Sequence, residues 1–133
     1  MTDTGELKSL NRLESLSDAD LVKIVNVGRR VQLPADWSLI WEKTPADKAY
    51  LIVDGTVSVR KGGQEIATLG PGDVIGEMAI VSHKLRNASV VSTSPLDVIH
   101  FTSEELEQLL ADVPAFGNAI KATTADRLGA DPA

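Results

Sequence analysis

Glu77 and Arg86 are the residues whose types and spacing suggest chemistry in this sequence. They stand nine positions apart in the segment Val74-Ile-Gly-Glu-Met-Ala-Ile-Val-Ser-His-Lys-Leu-Arg-Asn-Ala-Ser-Val90. Gly76 precedes Glu77 and would let the backbone approach a ligand closely. A short apolar turn, Met78 to Val81, follows, and Arg86 then stands alone before the next strand. Glu77 falls at the start of one expected helical turn, where unpaired amide N–H groups and the helix dipole favour an anion. Arg86 offers a planar fork suited to a bidentate phosphate contact. The group that fits is a phosphate, with a neighbouring hydroxyl for the Glu77 carboxylate. Taken singly, each residue has an ordinary role. A carboxylate at a helix start is favoured by the dipole, and a lone Arg is commonly solvated or ion-paired. The combination carries the inference.

Other chemistry has less support. The chain has 133 residues, no cysteine, two histidines and a net charge of −6. Without cysteine there is no disulfide, thiol chemistry or cysteine-based zinc site. His83 and His100 form no His-x-His pair, so they make a poor metal site. No Ser-His-Asp or Cys-His arrangement stands out, and a non-catalytic protein is expected. His83 reads as an exposed loop residue, and His100, between Ile99 and Phe101, as a sheet-surface residue. Trp37 and Trp41 flank Leu39 and Ile40 and read as core or rim packing rather than a stacking platform. Arg29-Arg30 and Arg60-Lys61 read as solvated faces. A sequence pI near 4.8 argues against nucleic acid, whose affinity rests on Lys and Arg meeting phosphates. No apolar run approaches the roughly 20 residues of a membrane helix. Met1 to Asn11 lack a positive region followed by an apolar stretch, so no signal peptide is expected. A cytoplasmic location fits these features.

The elements that must position Glu77 and Arg86 are mostly short strands. Length implies one domain, 1–133, with a single core. With only five aromatic residues, that core must come from Val, Ile, Leu and Ala. Leu7, Leu10, Leu13 and Leu16, then Leu21, Ile24 and Val25, recur at helical steps. Helices are expected at about 6–14 and 18–28, with Ser17 and Asp20 resembling a capping box and Gly28 as a left-handed C-cap. From 30 to 102 short apolar runs alternate with turns, the pattern of a β-sandwich or barrel. The runs are Val31–Leu33, Leu39–Trp41, Tyr50–Val53, Thr56–Arg60, Glu65–Leu69, Asn87–Val91 and Leu96–Phe101. Asp54-Gly55 and Gly62-Gly63 read as two-residue hairpins. Val57 and Val59 alternate with polar neighbours, as in a half-buried strand. Tyr50–Val53 is apolar throughout, so it faces core on both sides or lies under a helix. Thr102-Ser-Glu-Glu105 is a capping box opening C-terminal helices over about 103–128, with Pro114 at the first turn of the second. The fold class is mainly β: an antiparallel, jelly-roll-like β-roll with N-terminal helices and two C-terminal helices.

The segment at 75–89 resembles the phosphate-binding cassette of cyclic nucleotide-binding domains, the family of catabolite activator proteins and protein kinase A regulatory subunits. That pattern is Gly-Glu, hydrophobic, Ala, hydrophobic, a short linker, then Arg, a small or polar residue, and Ala. Here it is Gly76, Glu77, Met78, Ala79 and Ile80, then Arg86, Asn87 and Ala88. Tyr50-Leu-Ile-Val-Asp-Gly55 through Leu69-Gly-Pro-Gly-Asp73 resembles the preceding hairpin and Gly-rich turn. The resemblance implies that Arg86 pairs with the exocyclic oxygens of the cyclic phosphate and that Glu77 accepts from the ribose 2′-OH. It further implies that the Ala79 and Ala88 amides bind phosphate and that Gly76 lies against the ribose. Met78 belongs to the same set, and the Asn87 amide would contact phosphate or base.

Three departures stand out. Leu85 replaces a frequent Pro and should loosen the loop. Asp36-Trp37 and Lys43-Thr44 lack the usual Gly, so those turns should be made differently. The purine lid that the family often supplies late in its last helix has only Thr123, Thr124, Arg127 or Asp131 as candidates. The expected function is binding of a 3′,5′-cyclic nucleotide without catalysis and without a cofactor. Cyclic AMP comes first and cyclic GMP second, because Asn87 is neither the Thr nor the Ser that often holds guanine. With no helix-turn-helix after the roll, output is expected through a protein partner or self-association. The alternative is the same fold with a degenerate pocket, acting by protein contact alone. A metal-binding cupin shares the strand texture but needs a His-x-His pair.

Overall fold

The structure, a computed structural model, describes residues 16–41, 43, 47–75 and 88–117. The expected helix at 6–14, and the expected anchors Ile120 and Leu128, lie outside these residues. Helix α1 spans Asp18–Val27. The strands are β1 (Arg29–Leu33), β2 (Ser38–Ile40), β3 (Lys48–Asp54), β4 (Val57–Lys61), β5 (Gln64–Leu69), β6 (Val74–Ile75), β7 (Ser89–Ser92) and β8 (Leu96–Thr102). Helix α2 spans Ser103–Asp112, and 114–117 are helical again, with Pro114 opening that turn. Two four-stranded antiparallel sheets result, ordered β1-β8-β3-β6 and β2-β7-β4-β5. This is the expected β-roll. Strand β6 had no alternation to reveal it, because it is only two residues long and both are buried.

The core has two layers, and β3 divides them. Ala49, Leu51 and Val53 join Ile99, Phe101, Leu21, Ile24, Leu106, Leu109 and Phe116 beneath the helices. Tyr50 and Ile52 face the other way and pack with Val98, Leu39, Ile40, Val57, Val59 and Val90 between the sheets. Both readings of Tyr50–Val53 therefore hold, one on each face. Full burial of each large aliphatic side chain contributes about 1.5–3 kcal/mol.

Local chemistry ends the elements. Ser17 Oγ accepts from the Asp20 N–H at 3.2 Å, starting α1. At α2 both arms of the capping box are made: Glu105 N–H donates to Thr102 Oγ1 at 3.1 Å, and Thr102 N–H donates to Glu105 Oε1 at 2.8 Å. Gly28 departs from expectation. Its backbone is extended, φ −86° and ψ 174°, not left-handed. What it supplies is close approach: a Cβ there would sit 2.3 Å from Ile99 Cγ2 and 2.7 Å from Phe101 Cε1.

The two turn signals part ways. Gly62-Gly63, at φ 60° and 81°, closes a true two-residue hairpin in which Lys61 faces Gln64. Asp54-Gly55 makes no hairpin, because β3 and β4 lie in different sheets. The turn carries the chain across, and its exit is held by the β7–β8 turn. There Thr56 N–H donates to Ser94 Oγ at 3.0 Å, and Thr93 N–H donates to Thr56 O at 3.0 Å. A two-residue signal marks a reversal but does not say which strand pairs next.

Four surface readings also change. Trp37 and Trp41 are 49% and 62% exposed, so neither is core. A register shift between Ser38 and Ile40 turns both Leu39 and Ile40 inward and leaves the tryptophans outside. Ser58 is fully buried with Val57 and Val59, its Oγ donating to Glu65 Oε1 at 2.7 Å and accepting from Arg60 Nε at 3.2 Å. Arg30 is not a solvated residue: its guanidinium grips the Asp97 carboxylate through both Nε and Nη2, the latter at 2.6 Å. Asp36 and Lys43 keep a left-handed backbone, φ 61° and 68°, although neither is glycine. The turns therefore keep a conformation that glycine favours, at a cost of about 1–2 kcal/mol for a residue such as Lys. Lys43→Gly should raise stability by about 0.5–1 kcal/mol, the unfolded-state entropy of glycine offsetting part of the gain. A higher urea midpoint at unchanged slope checks this.

Candidate functional site

The described strands fix where the expected cassette is anchored. The Gly70-Pro71-Gly72-Asp73 turn sets its entry. Asp73 Oδ2 accepts from the Gly70 N–H at 2.9 Å. Gly72 N–H donates to Ile52 O at 2.8 Å, and Ile52 N–H donates to Asp73 O at 2.9 Å. These bonds lay β6 along β3, with Val74 opposite Leu51 and Ile75 opposite Tyr50. The chain leaves the first sheet after Ile75. It enters the second at Ala88 and Ser89, with Ser89 opposite Arg60. Strands β3 and β4 are joined by the short turn after Asp54, so the Lys48 end of β3 and the Lys61 end of β4 share the other end of the roll. Both anchors of the segment from 76 to 87 are at that end.

Of the expected ligand residues, the structure places one. Ala88 is 1% exposed and belongs to the layer between the sheets. Gly76, Glu77, Met78, Ala79, Arg86 and Asn87, with Leu85 and His83, lie outside the described residues.

Charged groups of both signs meet at the anchored end, with Asp47 ahead of β3, Glu65 opposite Arg60 and Glu105 in the first turn of α2 beside the cations. Arg29 begins β1, Lys48 begins β3, and Arg60 and Lys61 end β4. His100 belongs with them and was missed by sequence reasoning. His100 lies on the face of β8 that Val98 shares, near the end of the strand, and is half-buried there. His100 pairs with Arg29 on one side and Tyr50 on the other. Its ring meets the Tyr50 ring edge-on, with centroids 5.3 Å apart. Partial burial holds its pKa below the usual 6.5, while the Glu105 carboxylate pulls it up and Lys48 and Arg29 push it down. The unfolded chain thus takes up this proton first as pH falls. Stability should decline from pH 7.5 to pH 5.5, and His100→Gln should flatten that slope, as read from urea midpoints at the two pH values.

A shallow cleft of about 490 Å³ opens at the opposite end, lined in part by Leu33, Pro34, Asp54 and Pro95. It is away from both anchors, and of its two carboxylates Asp97 is already paired with Arg30.

Comparison with known proteins agrees with this arrangement. The model of the cyclic nucleotide-binding domain family matches residues 30–113, more than half of the chain. A cyclic nucleotide-gated potassium channel of Mesorhizobium japonicum is 30% identical over 117 residues, covering 88% of this chain and 32% of the channel. A Pycsar effector protein of Pseudomonas aeruginosa is 30% identical over 115 residues, covering 85% of this chain and 37% of the effector. The chain thus spans about a third of the length of these curated relatives. The catabolite activator protein of Thermus thermophilus superposes with a TM-score of 0.75 at 24% identity, over 88% of this chain and 57% of that one. With the two-sheet roll, the anchored segment and the family match in agreement, this chain belongs to the cyclic nucleotide-binding domain family.

Proposed function

We propose that this domain binds 3′,5′-cyclic AMP in the segment between β6 and β7 and acts as a sensor without catalysis of its own. The observation that carries the reading is the Gly76-Glu77 and Arg86-Asn87-Ala88 pattern, which falls in the sequence between two strand anchors at one end of the roll. Arg86 pairs with the cyclic phosphate, and Glu77 accepts from the ribose 2′-OH. Gly76 lets the ribose approach, and the Met78–Ala79 turn and the Ala88 amide close around the phosphate. Asn87 favours adenine, since it lacks the hydroxyl that would hold guanine. The mononucleotide carries a single negative charge, which one guanidinium and a few amides can balance.

Contact at Arg86 draws the cassette toward the roll and lets the helices after Thr102 re-pack. That equilibrium moves only as far as the ligand's affinities for the two states differ. The signal then passes to a protein partner or a second copy. A channel and an effector protein are each 30% identical to this chain over most of its length, which supports a sensor whose output differs with context. The test is competition against a fluorescent cyclic nucleotide. Cyclic AMP should displace it at the lowest concentration, cyclic GMP at a higher one, and 5′-AMP least well. Displacement by 5′-AMP equal to that by cyclic AMP would refute recognition of the cyclic phosphate. Cyclic GMP binding more tightly would refute the assignment of the base. No binding of any of the three would leave a domain that works by protein contact alone.

A further inference from the structure

We propose that the cleft at the end of the roll away from both anchors is a docking site for a partner protein, which inserts an arginine or lysine side chain flanked by apolar residues. Such docking does not require a nucleotide and gives the domain a contact surface of its own.

The charge comes from strand register. Gln32, Asp97 and Asp54 lie abreast across β1, β8 and β3, and all three line the cleft. Two carboxylates directly opposite each other on neighbouring strands destabilise a sheet. Arg30 Nη2 donates to Asp97 Oδ2 at 2.6 Å, which neutralises one of the pair. Asp54 is exposed at the end of β3, and its carboxylate makes no hydrogen bond or ion pair among the described residues. The row therefore keeps an uncompensated negative charge, which a cation from outside the chain would balance. Exposed Asp36, in the adjoining β1–β2 turn, adds to the same sign.

The rest of the lining is apolar and held in place. Leu33 is half-buried and Leu96 buried, while Pro34 and Pro95 are exposed. Ser92 joins the two proline-bearing turns. Its Oγ donates to Pro34 O at 2.7 Å and accepts from the Trp37 N–H at 2.8 Å, and its carbonyl accepts from the Asp36 N–H at 2.9 Å. A preformed cleft loses little freedom when a partner enters it. Trp37, 49% exposed, stands on the same turn, and tryptophan is enriched among residues that carry binding energy. The volume of about 490 Å³ is within the roughly 300–1,000 Å³ of ligand sites.

These features select the occupant. An anionic segment would meet repulsion at Asp54. A small free cation would gain little at an exposed carboxylate, where water and salt screen the attraction. A basic side chain whose neighbours are apolar satisfies the carboxylate and covers the leucines and prolines together.

The experiment is NMR titration of the full chain, labelled with ¹⁵N, with the acetylated and amidated peptide Gly-Leu-Arg-Leu-Gly. The expected result is saturable shifts at the amides of Gln32, Leu33, Asp54 and Leu96, with a Kd on the order of 1 mM. Replacing the peptide's arginine with glutamate should abolish them, and replacing its leucines with serine should weaken binding at least threefold. Asp54→Asn should also weaken binding three- to tenfold while melting no lower than wild type, since it removes the repulsion with Asp97. No shifts at these amides, equal binding of the glutamate peptide, or unchanged affinity in Asp54→Asn would each overturn the proposal. So would arginine amide binding as tightly as the peptide, which would mark a small-cation site. Self-association of the chain without peptide, lost in Asp54→Lys, would assign the cleft to a second copy and overturn the assignment to a partner protein.

Discussion

Replacing Arg86 with alanine lowers the affinity for cyclic AMP by about 100- to 1,000-fold. The guanidinium is the one fixed positive charge that the family pattern aims at the phosphate. Removing one partner of a desolvated, hydrogen-bonded charge pair typically costs about 2–5 kcal/mol, and 1.4 kcal/mol is a factor of ten. The loss should appear in Kd, and the melting temperature of the unliganded variant, measured alongside, separates lost binding from lost folding. Arg86→Lys should recover little, since an ammonium keeps the charge but not the two-pronged geometry. Wild-type affinity in Arg86→Ala would mean that the nucleotide binds elsewhere, or without its phosphate being held.

Phe101→Ala destabilises the fold by about 3–5 kcal/mol. Phe101 is fully buried on β8, with its ring 6.5 Å from that of Phe116. It packs in the layer that joins the sheet to α1, α2 and the turn at 114–117. No other aromatic ring from the sheet enters that layer among the described residues, so its loss leaves a cavity that aliphatic neighbours fill poorly. Against a total stability of about 5–15 kcal/mol, the variant stands near the unfolding threshold. Urea denaturation followed by circular dichroism measures the shift. A loss under about 1 kcal/mol would show that the helices do not depend on this contact.

Most strands were legible because their residues alternate or run apolar within turn-bounded segments. Asn87–Val91 and Leu96–Phe101 are seen as Ser89–Ser92 and Leu96–Thr102. What escaped reading has physical causes. Val74–Ile75 is too short for any period. Asp54-Gly55 announces a turn but not a change of sheet. Gly28 serves packing instead of a left-handed cap, and a sequence does not reveal the side chains that press on it. His100 was assigned to a sheet surface and is half-buried there, against the Tyr50 ring, a contact that alternation alone does not reveal. Trp37 and Trp41 were read as core or rim, and their exposure leaves only the rim. The proposed ligand residues rest on a pattern alone: Gly76, Glu77, Arg86 and Ala88 resemble the family's motif, and the structure describes the strands on either side of it.

The central claim, that this domain holds a cyclic nucleotide, is tested most directly by calorimetric titration of the wild-type chain with cyclic AMP, paired with a melting curve at saturation. The account expects a saturable, single-site heat. It also expects ligand at about 100 times Kd to stabilise the protein by roughly 2.7 kcal/mol, visible as a raised melting temperature. Absence of heat together with an unchanged melting temperature in millimolar cyclic AMP would contradict it.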